Sequence, residues 1–319
     1  MDNPLIFVRA IHFAATLTAA GVAFFNVFIA QPALRPSAGR AELRAAVGRR
    51  LVWIAWIGMV LTLLSGGAWF VLVAQSVSDQ PLTSVLSDSS VLQAVLLDTD
   101  FGRDWLSRLL LIVLLAALLA AELRETQERG GLLKLAVVLV AAGLAGTLAW
   151  AGHGIGGAGL PGSVHLAADF VHLIAAAAWV GGLLPLAIML AAAGRASSLA
   201  VARTVSMRFS AYGIVAVGAL FFTGAINTWS LAGSIRALTE TDYGHLLLVK
   251  IALFLIMLGL ATVNRLWLTP ALAANAGQGR MRDAFWQLRR NVAIEIGAGV
   301  TILSVVAVLG VTPPPGLGE

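Results

Sequence analysis

A chain of 319 residues that is 59% hydrophobic and only 12% charged is too apolar for a soluble domain, where about a quarter of residues carry charge, and would expose large adhesive patches in water. Its net charge of +5 is unevenly distributed, and the partner this composition implies is the lipid bilayer, not nucleic acid. The absence of cysteine excludes disulfides, thiolate metal sites and redox thiols.

Apolar runs long enough to cross ~30 Å of hydrocarbon fall at about 5–31, 51–75, 105–122, 132–152, 164–193, 209–232, 246–268 and 292–311. They predict an all-α polytopic membrane protein with eight transmembrane helices. The opening MDNPLIFVRAIHF lacks the charged region and cleavage site of a signal peptide, so the first run is expected as a retained span. Of the 21 lysines and arginines, all but Arg9, Arg103, Arg108, Arg236 and Lys250 lie in or beside the first, third, fifth and seventh connections. The positive-inside rule makes that face cytoplasmic and puts both termini in the periplasm of a bacterial inner membrane. The longest connection, 76–104, with Asp79, Asp88, Asp98, Asp100 and Asp104, is then periplasmic and is expected to form a short lid.

The chain echoes itself. Thr99-Asp100-Phe101-Gly102 with Arg108 matches Thr241-Asp242-Tyr243-Gly244 with Lys250, and His12 with Gly21 matches His172 with Gly181. Arg50 with Ser65-Gly66 matches Arg208 with Thr223-Gly224 at the same separation. These pairs predict two parallel four-helix repeats, 1–152 and 153–319, related by an axis along the membrane normal, with a site between them.

The densest chemistry lies in HGIGGAGLPGSVHLAADFVHLIAAAAWVGGLLPL, residues 153–185. His165, Asp169 and His172 share one helix face, and His153 precedes them across a Gly-rich turn. On the assigned topology all five histidines, His12 and His245 included, fall in the periplasmic half. Imidazole is the commonest metal ligand and also a proton carrier. Without cysteine, a transition metal must use imidazole, carboxylate or thioether, and thioether selects Cu(I). Met59 and Met257 are the methionines well inside spans; they line a path or fill the core. Asp169 either orients His172 or His165, ligates directly, or pairs with Arg9 across the halves. His245 opens the seventh span as an interfacial residue. Glu295 requires a partner or a role; Asn264 and Arg265 are the candidates for an ion pair, with a proton or metal relay as the alternative. Asn227 and Asn26 are expected to bond helix to helix. The tryptophans read as an interfacial belt, except Trp179 in mid-span. Gly181 and Gly182 either let a neighbouring backbone approach or leave room for a flat cofactor. There is no Walker A loop, CxxCH, HExxH or phosphorylated-aspartate pump motif, so the chain is not expected to be an enzyme.

The segment HLAADFVHLIAAAAWVGGLLPL resembles the CopD (PcoD) copper-resistance membrane proteins, with support from Thr241-Asp242-Tyr243-Gly244, from Arg289-Arg290-Asn291-Val292 with Glu295, and from Pro313-Pro314-Pro315. The resemblance covers essentially the whole chain. It implies an inner-membrane protein that moves copper from periplasm to cytoplasm together with a periplasmic carrier of the CopC type. It places His165, Asp169, His172 and Trp179 on the family's histidine helix and Glu295 on its last. The expected ligands are His12, His172, His165, Asp169 and His153, with His245, Met59, Met257, Glu295 and Trp179 as accessories. The competing reading is a redox protein holding haem b between His12 and His172.

Overall fold

The computed structural model describes residues 4–34, 41–122, 130–151, 159–195, 198–273 and 277–315. Among these there is no strand, and eight helices are long and apolar enough to cross a membrane. We number the helices α1 (Pro4–Ala33), α2 (Ala41–Ser78), α3 (Leu82–Ser87), α4 (Ser89–Asp98), α5 (Asp100–Glu122), α6 (Gly131–Ala151), α7 (Gly159–Arg195), α8 (Leu199–Ala232), α9 (Ile235–Glu240), α10 (Asp242–Ala271) and α11 (Gln278–Leu309).

The helices α2, α8 and α11 begin well before their apolar runs. Their first turns, such as Ala41–Arg50 and Leu199–Arg208, are rich in alanine, leucine and arginine, all good helix formers. A hydropathy window ends where the hydrocarbon ends, whereas the helix continues into the basic face. Both α1 and α10 widen into a π-turn, Asn26–Ala30 and Asn264–Leu268, just before Pro32 and Pro270. Proline removes one backbone donor and crowds the carbonyl four residues earlier, and the wider turn absorbs both effects.

At the centre, α1 packs along α7. A Cβ on Gly21 would run into the Gly181 backbone, and one on Gly181 would run into the Leu17 carbonyl. Two side-chain-free positions therefore let the helices touch backbone to backbone. The room at Gly181 is thus filled by α1 and that at Gly182 by the Phe209 ring, which closes the space the sequence left open for a flat cofactor there. The outer faces carry exposed Leu64, Val215 and Phe222, costly in water and suited to acyl chains.

The 76–104 connection folds into α3 and α4, whose Val85 and Val95 pack on Phe70 and Ala74 of α2. Asp88 caps α4 by accepting from the Ser90 backbone N–H at 2.9 Å and its hydroxyl at 2.6 Å. These bonds hold the Asp88 carboxyl below its ordinary range. The two echoed Thr-Asp-aromatic-Gly segments fold alike. Thr99 Oγ1 accepts from Gly102 N and Thr241 Oγ1 from Gly244 N, each at 3.0 Å. A Cβ on either glycine would strike carbonyls of the preceding short helix, at Leu96 or at Ala237.

Candidate functional site

His12 is 2% exposed on α1, and its Nδ1 lies 3.1 Å from Ser65 Oγ on α2. The Ser65 hydroxyl gives its own proton to the Leu61 carbonyl at 2.5 Å. Ser65 can then only accept from the imidazole, so Nδ1 carries the hydrogen of the neutral ring. Nε2 is left as a bare lone pair, buried and without a partner. This is the tautomer a metal-ligating histidine needs, one nitrogen held by a hydrogen bond and the other free.

His172 on α7 repeats the arrangement. Its Nδ1 lies 3.0 Å from Thr223 Oγ1 on α8, and the Thr223 hydroxyl donates to the Ala219 carbonyl at 2.6 Å. A glycine adjoins each ring: a Cβ on Gly66 would stand 3.2 Å from His12 Cε1, and one on Gly224 would stand 3.5 Å from His172 Cε1.

The surroundings diverge one turn away. Trp69 lies one turn after Ser65 and meets the His12 ring edge-on, with centroids 5.4 Å apart. The guanidinium carbons of Arg9 and Arg108 lie 4.6 and 5.8 Å from the Trp69 ring centroid. Arg108 forms a buried pair with Asp104 at 2.5 Å and donates to the Thr147 carbonyl at 2.8 Å. Arg9 presses against Gly310 at the end of α11, the negative end of that helix's dipole. Around His172, Asn227 lies one turn after Thr223 and donates to Asp169 Oδ1 at 3.0 Å. The charge bearing on Asp169 is Lys250.

The remaining sequence candidates separate. His165 is buried on α7, and His153 lies outside the described residues. His245 is exposed and its Nε2 donates to the Thr239 carbonyl at 2.9 Å, tying α10 to α9. Met59 and Met257 are fully enclosed in the main core. Trp179 is buried edge-on against Phe254. Asn227 does join α8 to α7. Glu295 receives a 2.7 Å bond from Asn264, but Arg265 turns to Ser210 at 2.9 Å, and no ion pair to Glu295 occurs among the described residues. The hydrogen bond found on Asp169 comes from Asn227, while Arg9 is held over Trp69 in the other half. Among the described residues no group of three or more His, Asp or Glu side chains gathers at metal-binding spacing.

Three features went unread in the sequence. Trp69 is buried beside His12 and is no belt residue. The Arg108–Asp104 pair is enclosed inside the bundle. Thr223 and Ser65 fix the imidazole tautomers. The signal available was the spacing of polar residues one turn apart in α2 and α8, Ser65 with Trp69 and Thr223 with Asn227.

Two family models match the chain: "Copper resistance protein D-like, N-terminal domain" over residues 1–163 and "Copper resistance protein D" over residues 203–309. The chain is 30% identical to copper resistance protein D of Pseudomonas syringae pv. tomato over 98% of both chains. It is 29% identical to the inner membrane protein YebZ of Escherichia coli over 97% of this chain and 98% of that one. It is 27% identical to the copper transport protein CutJ of Bacillus subtilis over 96% of this chain and 52% of that one. No solved structure matches.

Proposed function

The chain belongs to the copper resistance protein D family, and from that premise we propose that it binds copper at the periplasmic face of the inner membrane and passes it toward the cytoplasm. The observation that carries this reading is the forced tautomer of two histidines, His12 buried and His172 half-buried. His12 and His172 each spend Nδ1–H on a hydroxyl whose proton is already committed, which leaves each Nε2 able to do nothing but accept a proton or a metal. We take the matched His–hydroxyl–glycine sets, together with the Gly21–Gly181 crossing, as two parallel repeats that meet at α1 and α7. Both termini then face the periplasm.

The two imidazoles are not equal for a cation. Lys250 bears on both His172 and Asp169, and Asp169, one turn from His172, offsets it; near His12, Arg9 and Arg108 stand against Asp104 alone. Copper loads at His172, with Asp169, His165 and His153 as its outer approach, and His12 is the secondary station. A periplasmic carrier of the CopC type delivers it, and Asp79 and Asp98 of the acidic connection raise the local cation concentration. The test is copper uptake by vesicles reconstituted with the full chain. His172→Ala is expected to abolish uptake and one equivalent of bound copper; unchanged uptake and stoichiometry would sink the reading.

The charge around His12 favours a second reading. A free imidazole Nε2 beside Arg9, whose Nε is buried without a partner, also suits haem b: His12 would hold its iron and Arg9 would pair with an acidic side chain of the haem. Haem would supply one-electron chemistry, while this chain would hold His12 and His172 in their tautomers. The visible spectrum of the purified protein decides: a Soret band selects haem, and a colourless protein containing copper selects transport.

A further inference from the structure

Away from the histidines, the bundle buries an acid that neither reading uses. Glu295 on α11 is 2% exposed. Its Oε1 accepts from Asn264 Nδ2 at 2.7 Å, and Asn264 Oδ1 in turn accepts from Asn291 Nδ2 at 2.8 Å. The two amides form a directed chain that ends on the carboxyl group and donates to one oxygen only. Glu295 borders a cavity of about 410 Å³ between α7, α8, α10 and α11. Asn264 opens the π-turn of α10 at the same cavity, an element that often accompanies function.

Charge accounting decides what this acid does. Among the described residues, Arg265 is the other ionisable side chain bordering the cavity, and it is bonded to Ser210 on α8. None of the residues that α7 and α8 contribute to the cavity, Trp179, Leu186, Ser206 and Phe209 among them, is charged. The one charge near α11 on the α1 side is Arg9, at the far end beside Gly310. A bare carboxylate within the bilayer with no cation is costly, and a proton is the smallest ligand that removes the cost. The amide chain suits the acid form, since Oε1 serves as the carbonyl oxygen that accepts from Asn264. Oε2 then carries the hydrogen. Ser206 gives its own proton to the Ala202 carbonyl at 2.8 Å, so its lone pairs can accept from water in the cavity.

We propose that Glu295 is a proton-binding site that loads and releases a hydrogen ion through the cavity between α7, α8, α10 and α11, and that this proton is coupled to copper movement. On loading, an O–H bond forms at Oε2 with a proton from a hydronium ion, which leaves as water; release returns the proton to water and leaves the carboxylate. The coupling rests on the transport reading; the proton site does not.

Two measurements test it, both on the full chain. Infrared spectra of the purified, copper-free protein should show a protonated-carboxyl band that falls as pH rises. Glu295→Gln, which keeps the acceptor for Asn264, should remove that band. Asn264→Leu should retain it at a shifted wavenumber, because Oε1 loses its donor; an unchanged band in both variants overturns the site. Vesicle copper uptake should then depend on internal pH in the wild type and lose that dependence in Glu295→Gln. The same dependence in both overturns the coupling. A titrating band in a protein that moves no copper upholds the proton site and sinks the transport reading instead.

Discussion

The surroundings of His12 and His172 share a scaffold and differ in charge. Each imidazole is pinned by a hydroxyl on the next spanning helix, each has a glycine against its ring, and each lies nine residues before a glycine of the α1–α7 contact. One turn away, the first site is built from Arg9, Trp69 and Arg108, and the second from Asp169, Asn227 and Lys250. The scaffold sets what an imidazole can do, because it fixes the tautomer. The neighbours set which ligand it meets, because charges act strongly where water cannot screen them. The first cluster sets two arginines against Asp104, and the second sets Lys250 against Asp169, so a cation meets less opposing charge beside His172. The same hydroxyl–imidazole–glycine geometry is thus set among different charges around His12 and around His172.

The largest expected effect breaks the first site alone. Arg108→Met leaves Asp104 buried without its cation and should cost about 3–5 kcal/mol, read as a lowered unfolding midpoint in detergent. Lys250→Met should cost less, since Asp169 keeps its bond from Asn227. Equal losses would mean that the two charge clusters are built alike. Thr223→Val removes the acceptor that orients His172 and should weaken copper retention about 10–100-fold, measured by equilibrium competition with a chelator. Ser65→Ala should leave copper retention unchanged if copper loads at His172; a matching loss would make the two stations equivalent. Asn227→Leu frees Asp169 and should lower stability by about 0.6–1.7 kcal/mol, the range for hydrogen bonds between membrane helices. The smallest difference concerns the glycines. A methyl at Gly66 comes within 3.2 Å of the His12 ring and one at Gly224 within 3.5 Å of the His172 ring. Gly66→Ala should therefore cost about 0.5 kcal/mol in ring displacement, while Gly224→Ala should be tolerated.

Much of this was legible in the chain. The eight spans follow from runs of apolar residues, because a segment within lipid must satisfy its backbone internally and so forms a helix. The pairings of His12 with His172, of Ser65-Gly66 with Thr223-Gly224 and of Arg108 with Lys250 were visible as spacing. The partners were not. Trp69 looks like any other tryptophan near the end of a span, and its burial depends on which helix lies beside α2. Arg265 looks like the natural cation for Glu295, yet its guanidinium meets Ser210 on α8. The helical register, not proximity in sequence, chooses between them. The extensions of α2, α8 and α11 were missed because hydropathy marks the edge of the hydrocarbon and is blind to helix continuing in water.

The sequence alone determined the membrane class, the number of spans and the cysteine-free chemistry. These depend on composition and on the thickness of a bilayer, which act on each segment separately. Only the tertiary structure decided that Gly21 and Gly181 touch and that each imidazole turns Nδ1 to a hydroxyl on the next spanning helix. It also decided that Arg9 and Arg108 flank one site and Asp169 with Lys250 the other, and that Glu295 meets the Asn264 amide and, among the described residues, no cation. Each of these is a contact between different helices, set by packing angle and register that no single segment encodes.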